Sequence, residues 1–267
     1  MAFGKRTNPP AGNGGFGVPP NGPRTTQVVY PWTHDPKAFT ACNMALGNLA
    51  ANLPGRLVVA GRLHAETLMV GVGVVAGFSA QCLMRKTLIE TGRAQQGRDF
   101  HLMTTVDGGT YLFGDTLNDL IVSTTEVVPT RYTLAMMLGG AAIQSGLAIS
   151  DIPPFEPLFQ SVAASLRDGR YGELSAPAVH APNATPLQLL DRLWPFARKC
   201  LMGTLPGDRN WGAAPFEYWT SITSLVAQKF FLEVGAVLNP KIAYGLALES
   251  AIIASKLHPA TVADGVV

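Results

Sequence analysis

Two small groups of side chains have the residue types that acid–base or metal chemistry uses. Asp115 and Asp119 stand four residues apart, so on a helical turn they share a face. With Asp107 and His101 on the preceding segment they make an acidic cluster suited to a divalent cation or to proton transfer. Turn chemistry alone also accounts for Asp107, and Asp115 is well placed to cap the helix that follows. The second group is His64-Ala65-Glu66, an H-x-E spacing in which an imidazole binds zinc while the carboxylate moves protons. The P-C-x-x-C segment that completes such a site is absent, since Cys82 and Cys200 stand alone. If both residues lie on a helix, side chains two apart point about 200° from each other, so this pair is expected not to converge.

Other motifs carry less. Residues 71–77 contain Gly71, Gly73 and Ala76 in the G-x-G-x-x-A form of a dinucleotide-binding turn, with Glu90 near the place of a ribose-binding acid. The preceding segment, with His64, Glu66 and Thr67, makes a poor buried strand, and no turn separates the helix from a second strand. Gly73, Gly77 and Ala80 therefore read as a face for close helix–helix packing, and no cofactor is assigned. There is no P-loop, and Gly77-Phe78-Ser79-Ala80-Gln81 lacks the final glycine of a nucleophile elbow. His34, His180 and His258 fall near prolines in expected loops, where a solvated surface role is the commoner one. The cysteines Cys42, Cys82 and Cys200 have no zinc or redox spacing and read as small buried hydrophobes.

The elements that must position these groups follow from pattern and punctuation. Residues 1–35 are dense in Pro and Gly and read as a flexible arm, with an apolar stretch at 27–32 able to dock on the body or on a neighbouring subunit. A single globular, mainly helical domain is expected over 36–259, followed by a frayed tail at 260–267. Asp35 and Pro36 open a helix running to about Asn52. Residues 57–91 read as one or two buried helices ending at Gly92. Two β-prone runs, 100–106 and 110–113, flank Asp107-Gly108 and read as a hairpin. Further helices are expected at 132–150, at 155–167, from Pro186 with a kink or break at Pro195, and at 216–238. The last, 241–257, is expected to pack against its predecessor as a helical hairpin. The fold class is thus mainly α (α+β): a helical core with one small antiparallel β-hairpin. The stretches 57–91 and 132–150 form its centre.

Composition narrows the function classes. The chain has 267 residues, 47% of them hydrophobic and only 14% charged, with a formal net charge of +2. Nucleic-acid binding needs clustered Lys and Arg, and no run is longer than a pair such as Arg85-Lys86 or Arg198-Lys199, so no nucleic-acid partner is expected. The uncharged runs 67–84 and 133–150 lie near the roughly 18-residue limit of a membrane span. Both are diluted by Gly, Ser, Thr and Ala and lack aromatic belts, so buried helices are favoured over spans. The first residues lack a secretory apolar stretch, and the expected location is the cytoplasm. Two functional readings result. One is a non-catalytic binding or self-assembling protein, a homo-oligomer in its simplest form. The other is an enzyme, a hydrolase with or without metal assistance, whose candidate residues are His64, Glu66, His101, Asp115 and Asp119.

Overall fold

The computed structural model describes residues 29–105, 108–122, 132–205 and 211–262. Asp107 and most of the Pro/Gly-rich arm lie outside them. The described residues form eight α-helices and one two-stranded antiparallel sheet, a mainly helical fold with a small hairpin. The helices are α1 (Phe39–Asn52), α2 (Ala65–Leu83), α3 (Asp115–Val122), α4 (Leu134–Gln144), α5 (Glu156–Arg167), α6 (Pro186–Leu201), α7 (Phe216–Val234) and α8 (Pro240–Lys256). Strands β1 (His101–Thr104) and β2 (Thr110–Phe113) pair with His101 opposite Phe113 and Thr104 opposite Thr110.

Helix α2 is the axis of the molecule. It continues through a π-helical stretch, Met84–Ile89, and this combined element is long and apolar enough to cross a membrane by length and composition. Its whole apolar window is nevertheless buried inside the protein. Such a helix needs neighbours on all sides: α8 and α7 pack on it most extensively, with α6 and α3 completing the enclosure. Small residues make the α2–α8 approach possible. A methyl group at Gly73 would overlap the Ala247 carbonyl and the Ser250 hydroxyl, and one at Gly77 would overlap the Ala251 backbone. The Ser250 hydroxyl reaches across to the Val70 carbonyl at 3.2 Å, so backbone lies against backbone over two turns. The glycines act here in packing, and among the described residues no strand precedes them.

Several elements depart from expectation for identifiable reasons. Residues 57–64 are not helical. Val59 and Arg62 exchange both backbone hydrogen bonds around Ala60 and Gly61, whose φ values of 51° and 76° make a tight turn. The helix expected over 132–150 stops at Gln144, and α4 is peripheral: it lies on α7 and turns Met136 and Ile143 to the surface. The centre belongs instead to α2, α7 and α8. Helix α6 runs unbroken as one element through Pro195, opened by a capping box in which Thr185 and Gln188 exchange hydrogen bonds. Helices α7 and α8, joined by a short link, contact each other, and each packs more extensively on α2. The Asp35 carboxylate does accept the Lys37 and Ala38 amides, although the helix proper starts at Phe39. Trp32 is fully buried, with its indole N–H on the Asn43 side chain at 3.1 Å and its ring edge-on to Tyr218.

Candidate functional site

At the N-terminal end of α2 the two residues of the H-x-E spacing meet. His64 is not on the helix: it is the N-cap, with extended backbone (φ −89°, ψ 125°), which turns its ring back over the first turn. Its Nε2 lies 3.2 Å from Glu66 Oε2, and its Nδ1 lies 3.0 Å from Thr67 Oγ1. The expected divergence of this pair is therefore corrected, because the 100° step of a helix does not apply across its cap. The other oxygen, Glu66 Oε1, is 3.0 Å from His180 Nδ1, so one carboxylate joins two imidazoles. Burial works against the Glu66 charge, with its side chain only 13% exposed. The hydrogen bond from His180, the backbone amide and the two imidazoles outweigh that burial and hold the carboxyl below its ordinary range.

His180 arrives on the segment between α5 and α6, which is irregular because prolines 177, 182 and 186 interrupt it. Four contacts fasten this segment to α2 and α8. Tyr171 donates its hydroxyl to the Ile253 carbonyl at 2.6 Å, His180 binds Glu66, and the Asn183 amide donates to Thr67 Oγ1 at 2.9 Å. The fourth contact is Glu249, only 1% exposed in the middle of α8. Its carboxylate accepts the Ser175 amide at 3.0 Å, the Ser175 hydroxyl at 2.9 Å and the Ser161 hydroxyl of α5 at 3.2 Å. Burial raises its pKa, and the three donors offset only part of that cost. Gly169, at φ +68°, ends α5 and lets the segment turn back over the helices.

Within the curl of this segment lies a cavity of about 520 Å³. Leu174, Ala176, Ala178, Ala181 and Asn183 are among its lining residues, which include Glu173 but no Lys or Arg. His180 is not among the lining residues, whereas Asn183 belongs to both the wall and the Thr67 contact.

The other acidic candidates are not gathered in this way. His101 and Asp115 are exposed, on β1 and at the start of α3, and Asp119 is partly exposed one turn along α3. Among the described residues no group of three His, Cys, Asp or Glu side chains is arranged to hold a metal ion. Asp115 bears instead on Lys256, whose ammonium is 1% exposed between the rings of Phe113 and Phe159 and donates to Asn118 Oδ1. Burial pushes this lysine down to about 7, against the pull of Asp115. All three cysteines are buried, and none is in a disulfide among the described residues. Desolvation carries Cys42 up to about 12 and raises Cys82 further, which leaves both thiols unreactive.

His180, Thr67, Asn183 and Glu249 were not among the residues the sequence pointed to. His180 and Glu66 are separated by 114 residues, and no local spacing could have paired them. Comparison of the chain with known protein families, with curated proteins and with solved structures finds no match in any of the three.

Proposed function

We propose that this chain is a binding protein for a small, uncharged, largely apolar molecule held in the cavity between α5 and α6. The observation that carries this reading is the fastening of the cavity wall. An irregular segment is bound at four points, two of them buried or nearly buried carboxylates, and lines an open-sided space within the roughly 300–1,000 Å³ range of small-molecule sites. Holding a loop in one conformation costs roughly 1–2 kcal/mol per residue in backbone entropy, so a pre-formed wall spares a ligand that cost. The absence of Lys and Arg from the lining argues against phosphates and carboxylates as ligands. A thermal-shift screen of neutral metabolites, run on the native chain and on Ala184→Phe, tests this. A ligand that raises the Tm of the native chain but not of the filled variant supports it. No ligand, or equal shifts in both, overturns it.

Self-association in the cytoplasm is the companion proposal. A chain with only 14% charged residues leaves Ile149 at 75% and Val237 at 78% exposure. Static light scattering that returns a monomer at all concentrations removes it.

A further inference from the structure

We infer that Arg85 and Arg198, brought together where α2 and α6 end side by side, form a binding site for the phosphate group of a small molecule. At 1.5 Å per helical residue the site lies roughly 25–30 Å along α2 from Glu66, so it stands apart from the cavity and from the ligand read for it.

The run of the helices joins the two residues. Thr67, near the start of α2, meets Asn183 just ahead of α6, and further along the Phe78 ring stands 4.7 Å from that of Trp194. The two helices therefore run the same way and finish at the same end of the molecule. Arg85 follows Phe78 by two helical turns and Arg198 follows Trp194 by one, so each continues the face by which its helix touches the other. Cys82 stands between Phe78 and Arg85 on α2. Burial pushes its thiol up, while Arg85, Arg198 and Lys86 all pull it down, which places the three cations around one buried point. From Met84 the helix widens to π geometry, a distortion that recurs at functional sites.

The two guanidinium groups have no acceptor. Among the described residues neither Arg85 nor Arg198 makes a hydrogen bond or an ion pair, and the acid next along the chain from Arg85, Glu90, is taken by Lys86 at 3.1 Å. Both Nε atoms are sealed from solvent, whereas the terminal nitrogens of both groups reach the surface. Cations near a helix C-terminus gain from its partial negative charge, and Arg198 stands in the last turn of α6. That accounts for the charges but not for the open donors, since neither group is turned onto a terminal carbonyl. Two like charges held together with buried, unfilled N–H groups are costly until an acceptor arrives. A phosphate dianion matches the two charges and offers three oxygens to donors that come from different helices. A carboxylate, with one charge and two oxygens, is satisfied by a single arginine fork.

The test is isothermal titration calorimetry of the full chain with phenyl phosphate at constant ionic strength, set beside inorganic phosphate and benzoate. One-to-one binding of phenyl phosphate is expected with a Kd of about 1 mM or tighter, weakened about tenfold or more in Arg85→Gln and in Arg198→Gln. Inorganic phosphate is expected to bind within about tenfold of phenyl phosphate, since the arginines hold the group the two share. Arg167→Gln, which removes a cation at the end of α5, is expected to change the Kd less than about twofold. No binding up to about 20 mM, or a Kd unchanged in both glutamine variants, overturns the proposal. An equal loss in Arg167→Gln overturns it too, because it marks general screening. Benzoate bound as tightly as phenyl phosphate overturns the choice of phosphate. If a glutamine variant does not fold, Arg85→Lys and Arg198→Lys take its place: each keeps the charge and loses the fork, and unchanged binding in both overturns the proposal. Ala184→Phe, which fills the cavity, is expected to bind phenyl phosphate as the native chain does. Loss of binding there puts the ligand in the cavity and removes the arginine site, whereas failure of the arginine site alone leaves the cavity reading standing.

Discussion

The flank of α2 that faces α8 and the N-terminal end of α2 that faces the α5–α6 segment are held in opposite ways. Along the flank, Gly73 and Gly77 bring backbone against Ala247 and Ala251, and size decides the fit. At the end, Glu66 and Thr67 receive His180 and Asn183, and directed hydrogen bonds decide it. Helix α8 repeats the contrast: Ala247 and Ala251 face α2, while Glu249 between them faces Ser161 and Ser175. A helix that must pack closely on one side and anchor a loop on the other carries small residues and one buried acid within five positions. Close packing tolerates almost no added volume, whereas a hydrogen-bonded anchor tolerates a change of charge but not the loss of an acceptor.

The harshest way to break this comparison is Gly77→Val. Its side chain has no space beside the Ala251 carbonyl, and the two central helices must move apart. A loss of about 3 kcal/mol or more is expected, read as a fall in the urea midpoint, or no folded protein at all. On the polar side, Glu249→Ala leaves the Ser175 amide and two hydroxyls without their acceptor, at a cost of about 2–3 kcal/mol. Glu249→Gln, which keeps an acceptor oxygen, is expected to lose clearly less. The native acid also has a sign in pH. Its folded pKa is raised, so its contribution is greatest below the unfolded carboxyl range and is lost as pH rises through the folded value. Glu249→Gln should flatten the stability–pH curve there.

A third variant sharpens the comparison where it is least tidy. Lys256 ends α8 in the dry interior, and among the described residues no carboxylate lies in salt-bridge contact with it. With the unfolded lysine near 10.5 and the folded one at about 7, the unfolded chain binds more protons between those values, so stability should rise with pH from about 7 to about 10.5. Lys256→Met is expected to remove that slope and to stabilise the protein by about 1–2 kcal/mol at neutral pH, checked by denaturation at pH 7 and pH 9. This is the smallest of the three effects.

How far the molecule was legible follows the same division. The hairpin was readable because strand-forming residues flank Gly108, a turn glycine at φ +85°. The start of α6 was readable because Thr185-Pro186 is a cap followed by a first-turn proline. Asn239 likewise caps α8 by accepting the Lys241 amide. The peripheral position of α4 was not readable, since Leu134–Gln144 is as apolar as a core helix although Met136 and Ile143 face outward. Of the candidate site, His64 and Glu66 were named but expected to diverge, because spacing was measured along a helix that begins one residue after His64.

The amino-acid sequence by itself determined the mainly helical class, the hairpin, most helix ends and the glycine face of α2, because each of these is written within a few residues by backbone geometry, capping or volume. Only the tertiary structure decided which helix is central, and only it brought His180 to Glu66 and Ser175 to Glu249. Those pairings span 114 and 74 residues. They arise when buried polar groups must find partners wherever the packed chain places them, and no local pattern encodes that choice.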